Sequence, residues 1–252
     1  MKTDIQNLGQ LALWQEWQER VKKGLPNFAA PDIYCSQLGI TPAEFERVAA
    51  IVKAGGPVDL DGRDRDAEFG AIMCDTPSLG WVNRMWLDAQ MEIRFLHEHM
   101  GFGNKRVLDV GAGYGRLAAS MWSLVASYTC IDAVPVSTEL CGAYCARFCP
   151  AVRVLSLAEF KARADGLRFD LAFNIHSWNE CPFDEVRLWL DVLVEMGVTW
   201  LFTVTHGTPG RDGWYTWQGP SFRPLIDRNF VLMAEEARGL YGHPMYLWRR
   251  KE

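Results

Sequence analysis

Length, composition and charge restrict the protein to a narrow set of classes. The chain has 252 residues, of which 49% are hydrophobic and 23% charged, a composition typical of a globular protein rather than a disordered one. Acidic residues exceed basic ones by five, which argues against nucleic acid as a partner, because phosphate binding needs a basic surface. No apolar run reaches the length of a membrane span and no apolar leader opens the chain, so the sequence predicts a cytoplasmic protein without a membrane partner.

Residues 1–100 are predicted to form a helical cap. Apolar residues from Leu11 through Trp14 and Trp17 to Val21 recur at helical spacing and predict a first helix that stops at 24–26. The run Thr41-Pro42-Ala43-Glu44 supplies an N-cap, a first-turn proline and a capping-box glutamate for a second helix. A third helix is predicted over about 84–100, and residues 59–68 are predicted to be a charged, solvated surface loop.

From residue 101 onward the pattern predicts a catalytic core in which short apolar strands alternate with helices. The predicted strands are 106–110, 128–131, 152–155, 170–175, 200–205, 230–236 and 244–249. Such alternation indicates an α/β fold with a doubly wound, Rossmann-like sheet. The last two strands leave no room for a helix between them, so we expect a seven-stranded sheet with six parallel strands and one antiparallel edge strand.

The seven cysteines do not predict disulfide bonds. Their number is odd and they are scattered, which is typical of reduced thiols. Cys141, Cys145 and Cys149 recur every four residues and would share one helical face. No CxxC pair accompanies them, so we interpret them as small core residues.

A glycine-rich turn follows the first strand of the core. The run Val107-Leu-Asp109-Val-Gly111-Ala-Gly113-Tyr-Gly115-Arg-Leu117 passes from an apolar strand through three alternate glycines into a helix. Glycine lets a ligand lie against the backbone at the carboxyl end of the strand, where open α/β sheets bind their ligands. The spacing is neither that of GxGxxG nor that of a phosphate loop ending in GK[ST].

This turn resembles motif I of the class I S-adenosylmethionine-dependent methyltransferases. Asp132 closes the second strand, where the family has an acidic residue that holds the cofactor ribose. The resemblance therefore implies S-adenosylmethionine as cofactor, and the terminal hairpin also suits the family. An aspartate common near the family's adenine site is absent, and Ser156 and Leu157 stand in that region. The cofactor-binding residues that it implies are Asp109, Gly111, Ala112, Gly113, Gly115, Asp132, Ala133, Ser156, Leu157 and Asn174.

The ends of the fourth and fifth core strands carry the candidate catalytic residues. His176 follows the fourth strand and His206 the fifth, and an imidazole can take the proton of an acceptor hydroxyl. Glu180 would share a face with His176 if the segment were helical, and could orient the imidazole or bind the acceptor. Signatures of base N-methylation and of cytosine C5 methylation are absent. Mg²⁺ stays open as a second cofactor, although the sequence has no recognisable ligand set for it.

The acceptor is predicted to be a small molecule, and a sugar or glycoside is preferred. The segment Ser177-Trp178-Asn179-Glu180 is similar to a bacterial group assigned as sugar O-methyltransferases, although His176 departs from its pattern. The aromatic residues Trp214, Tyr215 and Trp217 after the fifth strand could stack on sugar faces. A small-molecule N-methyltransferase and a non-catalytic cofactor-binding subunit remain alternatives, and a homodimer stays open.

Overall fold

A computed structural model describes residues 5, 8, 13–25, 27–29, 39–56, 59–207, 213–216, 219–237, 239–240 and 242–252. Leu11 and Trp217 lie outside the described residues, and so do the side chains of Trp14 and Trp17. The predicted first helix is confirmed as a helix, and Val21 on it is buried as its spacing predicts.

Eight α-helices and nine β-strands make up the described fold. The helices are α1 (Leu13–Gly24), α2 (Pro42–Gly55), α3 (Arg84–His99), α4 (Arg116–Met121), α5 (Pro135–Phe148), α6 (Leu157–Arg163), α7 (Phe183–Glu195) and α8 (Arg223–Asn229). The strands are β1 (Met73–Thr76), β2 (Gly80–Asn83), β3 (Arg106–Val110), β4 (Ser127–Asp132), β5 (Arg153–Ser156), β6 (Leu171–Ile175), β7 (Trp200–Val204), β8 (Phe230–Ala237) and β9 (Pro244–Arg250).

Strands β3–β9 form a seven-stranded sheet in the order β5-β4-β3-β6-β7-β9-β8. The predicted α/β fold class is therefore confirmed. Strands β5, β4, β3, β6 and β7 pair in parallel, while β9 is antiparallel to both β7 and β8. Six strands thus run one way and β9 the other, as predicted. The antiparallel strand lies one place inside the edge, because the second strand of the terminal hairpin, and not the first, pairs with β7.

Apolar residues pack on both faces of this sheet. Neighbouring strand residues point to opposite faces, so Val107 belongs to one core cluster and Leu108 to the other. The first cluster also contains Val48 of α2 and Phe95 of α3, and the N-terminal helices therefore share a core with the sheet. Among the described residues no helix is long and apolar enough to cross a membrane.

The N-terminal region departs from the helical prediction at two places. Strands β1 and β2 form an antiparallel hairpin over Met73–Asn83, which helical spacing did not predict. The predicted surface loop at 59–68 instead contains two 3₁₀ turns, Leu60–Gly62 and Arg65–Phe69, and buries one of its aspartates. Asp66 is only 4% exposed because it accepts hydrogen bonds from two tyrosines. The solvated-loop prediction is wrong for this residue.

Candidate functional site

The glycine loop between β3 and α4 lies at the carboxyl end of the parallel strands. Gly111, Gly113 and Gly115 have φ angles of 77°, 58° and 90°, which favour glycine. The N–H groups of Gly111 and Ala112 donate to the carbonyl of Ile131 in β4. A Cβ at Gly111 would collide with the side chain of Ser177, so glycine is required there for a close approach within the chain itself.

Asp132, the last residue of β4, holds this loop. Its carboxylate accepts the N–H of Gly113 at 3.0 Å and the N–H of Val134 at 2.8 Å. Burial raises the pKa of Asp132 to about 7; the two backbone hydrogen bonds oppose that rise and the charge of Glu180 adds to it. Each carboxylate oxygen accepts one of these bonds, which leaves further lone pairs for a ligand on the open side.

Asp109 and Asn174 face the protein interior. The Asp109 carboxylate is 4% exposed and accepts the hydroxyl of Tyr128 at 2.9 Å. Burial raises its pKa to about 7, against the lowering effect of that hydrogen bond. The Asn174 amide donates to the carbonyl of Val110 and to Ser177, and its oxygen accepts the N–H of Trp178. Both side chains therefore position the strand ends and offer little surface to a ligand.

The predicted adenine region has a different local role in this structure. Ser156 is the N-cap of α6, where its side chain accepts the N–H of Glu159 and its hydroxyl donates to that carboxylate. Leu157 begins the helix and is half-buried. Ala133, next to Asp132, is also half-buried. The Ser156 side chain is committed to capping, so contact with a cofactor would come from the backbone and Leu157.

His176 follows β6 directly and has a left-handed backbone with φ 64°. Its Nδ1 atom is buried and has no hydrogen-bond partner among the residues that the structure describes. Burial is the main cause that lowers the pKa of His176 well below its ordinary value, and the neighbouring His206 and His243 lower it further. The imidazole is therefore neutral near pH 7 and can accept a proton.

Three histidines converge at this end of the sheet. The ring of His176 lies 4.7 Å from that of His206 and 4.8 Å from that of His243, measured between centroids. Burial lowers the pKa of His206 to about 4, with His243 contributing, and burial also lowers the pKa of His243. His243 lies within 3.1 Å of the Thr205 carbonyl, which can only accept, so its Nδ1 carries the proton.

His243 was missed by sequence reasoning. It precedes β9, and β9 begins beside the end of β7 because the two strands are antiparallel, with Val204 opposite Met245. If the last strand had been paired antiparallel with β7 in the prediction, its first residues, and His243 before them, would have been placed at the carboxyl end of β7.

Glu180 acts electrostatically on Asp132. Ser177–Glu180 is a 3₁₀ turn with His176 as its left-handed N-cap, so the α-helical spacing on which the predicted pairing depended is not formed. The charge of Glu180 raises the pKa of Asp132, whereas histidines and two arginines are the charged groups that act on His176. The expectation that Glu180 shares a helical face with His176 is therefore wrong.

Helix α3 supplies two charged groups that act on the histidines. Arg84 lowers the pKa of His176, His206 and His243, and it donates to Asp88 at 3.0 Å. Asp88 in turn raises the pKa of His243 and accepts the N–H of Leu240. Arg84 and Asp88 of α3 thus have opposite effects on the pKa of His243.

The aromatic residues after β7 mostly face the core. Trp214 and Phe222 are 0% and 1% exposed and pack beside Tyr246 and Trp248. The expectation that Trp214 offers a face to a sugar is therefore wrong, because hydrophobic packing draws it inward. Tyr215 is 61% exposed.

Asn179 attaches the loop of Tyr215 to the site. Its amide nitrogen donates to the carbonyls of Gly213 at 2.6 Å and Tyr215 at 2.8 Å, and its oxygen accepts the N–H of His206 at 3.2 Å. Asn179 thus joins the backbone of Tyr215 to the backbone of His206.

Two buried contacts connect the N-terminal region to the glycine loop. Asp66 accepts the hydroxyls of Tyr114, within the loop, at 3.0 Å and of Tyr144, in α5, at 2.6 Å. Arg116, the first residue of α4, forms a two-pronged ion pair with Glu92 of α3 at 2.9 and 2.8 Å. Glu92 is 2% exposed, so the pair is held inside the protein.

Comparisons with known proteins identify the fold. No protein-family model matches the chain, and no curated protein matches it. Among solved structures, a protein of Thermoplasma acidophilum is 14% identical, with a TM-score of 0.51 over 81% of this chain and 98% of that one. The N-methyltransferase NodS of Bradyrhizobium japonicum, solved with S-adenosyl-L-homocysteine, is 12% identical with a TM-score of 0.50 over 65% and 87%.

The glycopeptide N-methyltransferase MtfA, also solved with S-adenosyl-L-homocysteine, is 15% identical to this chain, with a TM-score of 0.50. The match covers 64% of this chain and 89% of MtfA. At such low identities the likeness concerns the fold, which agrees with the sheet order described above. The chain shares the fold of these two methyltransferases.

Proposed function

We propose that the protein binds S-adenosylmethionine and transfers its methyl group to a hydroxyl of a small polar acceptor. The glycine loop and Asp132 fit the cofactor, because the carboxylate retains lone pairs for ribose hydroxyls after it has accepted the N–H groups of Gly113 and Val134. S-adenosylmethionine supplies a methyl group activated by its sulfonium. This chain must therefore supply orientation, exclusion of water and a proton acceptor.

The Nδ1 of His176, which is buried and has no hydrogen-bond partner in the described part of the chain, is the observation that carries the proposal. When the proton of the neutral ring is on Nε2, Nδ1 can accept a hydrogen bond. A hydroxyl of the molecule to be methylated would donate that bond and satisfy Nδ1. His176 would take the proton of this hydroxyl, while the bond between the methyl carbon and the sulfonium sulfur would break and leave S-adenosylhomocysteine as the second product. His206 is the competing base, and Glu180 is left to act on Asp132 or on the acceptor.

A sugar or glycoside is the acceptor class that we propose. Tyr215 supports it, since its ring is exposed and can stack on a sugar face, and its backbone carbonyl is bonded to Asn179, which also accepts the N–H of His206. Residues 1–100 would then act as a cap over residues 101–252 on the acceptor side, with Arg84 and Asp88 close to the histidines.

The test compares wild-type protein with His176→Asn. Asparagine tolerates a left-handed backbone, so this substitution suits the φ of 64° at the site. Affinity for S-adenosylhomocysteine is measured by calorimetry, and methyl transfer is measured on a panel of sugars and glycosides. We expect cofactor affinity to be unchanged and kcat to fall by about 10²- to 10⁴-fold.

The pH dependence of the rate gives a second readout. Because the pKa of His176 is lowered, the wild-type rate should fall only when the pH drops well below 6.5, where the ring becomes protonated. That acid limb should vanish in His176→Asn and persist in His97→Asn, an exposed histidine that serves as the control. A loss below tenfold with the limb intact would refute the role of His176. Loss of the limb in His206→Asn would assign the base to His206, and full activity of His176→Asn on amines would favour N-methyl transfer.

A further inference from the structure

Two glutamates and a histidine meet where α3 ends beside the edge strand β8. Glu98, His99 and Glu236 each offer one nitrogen or oxygen atom, and these three atoms all lie within 4.8 Å of one another. The Nε2 atom of His99 is 2.7 Å from an oxygen of Glu236. The side chains of His99 and Glu236 are each 30% exposed, so an ion from solvent can reach them.

The fold brings these three residues together from two distant parts of the chain. Glu98 and His99 are the last residues of α3, whereas Glu236 belongs to β8. Glu236 pairs with Met245 of β9, and Met245 packs in the same apolar cluster as Phe95 of α3. The ring of His99 lies 4.6 Å from that of Phe95. Packing of α3 on this face of the sheet therefore places its last turn beside Glu236.

The charges at this place favour a divalent cation. Two carboxylates supply two negative charges, and carboxylates and a neutral imidazole are common zinc ligands. The carboxyl end of α3 adds partial negative charge from its last carbonyl groups. Arg94 competes with an ion, since it donates to Oε1 of Glu98 at 2.7 Å. That bond uses one oxygen, and a carboxylate has a second oxygen that can bind a metal.

The separations of the three atoms suit zinc. Bonds of about 2.1 Å from zinc to nitrogen and oxygen place the ligand atoms of a tetrahedral site about 3.4 Å apart. In this structure one pair is 2.7 Å apart and no pair exceeds 4.8 Å. Rotation of the glutamate side chains, which are 34% and 30% exposed, adjusts these separations. We propose that Glu98, His99 and Glu236 bind one zinc ion, with water in the fourth position.

The bound ion would join the N-terminal helices to the sheet. Binding forms one zinc–nitrogen and two zinc–oxygen bonds, releases water from the ion, and sends the proton of a protonated His99 to solvent. Helix α3 begins at Arg84, whose charge acts on the three histidines, and its 16 residues end at the zinc site. At about 1.5 Å per residue the two ends are about 24 Å apart. We therefore expect the ion to act on stability and to take no part in methyl transfer.

The experiment measures Zn²⁺ binding to the untagged chain by calorimetry at neutral pH, with the thiols kept reduced by a phosphine. We expect one saturable site per chain. His99→Ala and Glu236→Gln should each weaken binding by at least about 100-fold, because even the outer partners of metal ligands are worth about 10- to 100-fold. His97→Ala and Glu235→Gln are the matched controls, since both residues are exposed neighbours on the same helical turn and the same strand. Both controls should bind as the wild type does.

Thermal unfolding gives a second readout of the same site. Zinc at about 100 times its Kd should raise the melting temperature of the wild type by about 5–10 °C, and a chelator should reverse the shift. The melting temperature of His99→Ala should not respond to zinc, while that of His97→Ala should rise as in the wild type.

Three results would overturn the proposal. One is the absence of saturable Zn²⁺ binding by the wild type, a result that does not depend on whether any variant folds. Another is binding that persists in a folded His99→Ala protein, which would assign the ion to other groups such as the buried thiols or the three histidines. The third is an equal loss of binding in Glu235→Gln and Glu236→Gln, which would mean that acidic surface charge alone attracts the ion. None of these readouts depends on methyl transfer.

Discussion

Replacement of Asp66 by alanine should destabilise the protein and disturb the glycine loop together. The carboxylate is 4% exposed and accepts the hydroxyls of Tyr114 and Tyr144, at 3.0 and 2.6 Å. Alanine leaves two buried hydroxyls without an acceptor, at about 1–3 kcal/mol each, or about 2–6 kcal/mol together. Burial raises the pKa of Asp66, so removing the carboxylate recovers part of its desolvation cost, and we expect about 2–4 kcal/mol.

Urea unfolding at neutral pH measures this loss in the free energy of unfolding. Asp64→Ala is the matched control, because Asp64 is exposed two residues away and makes no side-chain capping bond. A double-mutant cycle with Tyr114→Phe isolates the bond to the loop, and we expect a coupling energy of about 1 kcal/mol or more. Equal effects of Asp66→Ala and Asp64→Ala, or no coupling to Tyr114, would refute the reasoning.

Three further substitutions test the site. Asp132→Ala should weaken S-adenosylhomocysteine binding by about 2–4 kcal/mol in calorimetry, since it removes charge-assisted hydrogen bonds, and unchanged affinity in a folded variant would contradict this. The pKa of Asp109 is about 7 when folded and near 3.8 when unfolded, so wild-type stability should fall as pH rises from 4 to 7, by at most about 4 kcal/mol. Asp109→Asn, which keeps an acceptor for Tyr128, should remove that contribution in urea unfolding at several pH values. His243→Asn should raise the pKa of His176 and move the acid limb of the rate profile upward, and an unmoved limb would count against the coupling.

Local patterns predicted most of the sheet because they reflect short-range physics. The strand Arg106–Val110 is an apolar run that ends in glycine, and its bounds were predicted from that alone. The capping box at Thr41 and Glu44 involves residues three apart, and its hydrogen bonds are present in the structure. The hairpin of β1 and β2 was missed because its strands have only four residues each, too few for alternation to stand out.

The contacts that sequence reasoning missed join residues far apart in the chain. Asp66 meets Tyr114 and Tyr144 across 48 and 78 positions, and nothing near residue 66 indicates such partners. Trp214 was misjudged for a similar reason, since its burial depends on packing beside Tyr246 and Trp248. Hydrophobic residues in a loop can face either solvent or core, and only the tertiary fold decides between them.

The histidine cluster follows from the topology of the sheet. Strands β6 and β7 are neighbours and run parallel, so their carboxyl ends lie side by side. His176 and His206, which follow these ends, are therefore close together. Strand β9 is antiparallel to β7 and begins beside the carboxyl end of β7, so His243, which precedes β9, lies near the other two histidines. Burial is the main cause that lowers the pKa of all three rings; His206 and His243 further lower the pKa of His176, and His243 further lowers that of His206. A proton on one ring makes protonation of the next less favourable, so the cluster would hold one proton at a time, which is what the proposed role of His176 as a base requires.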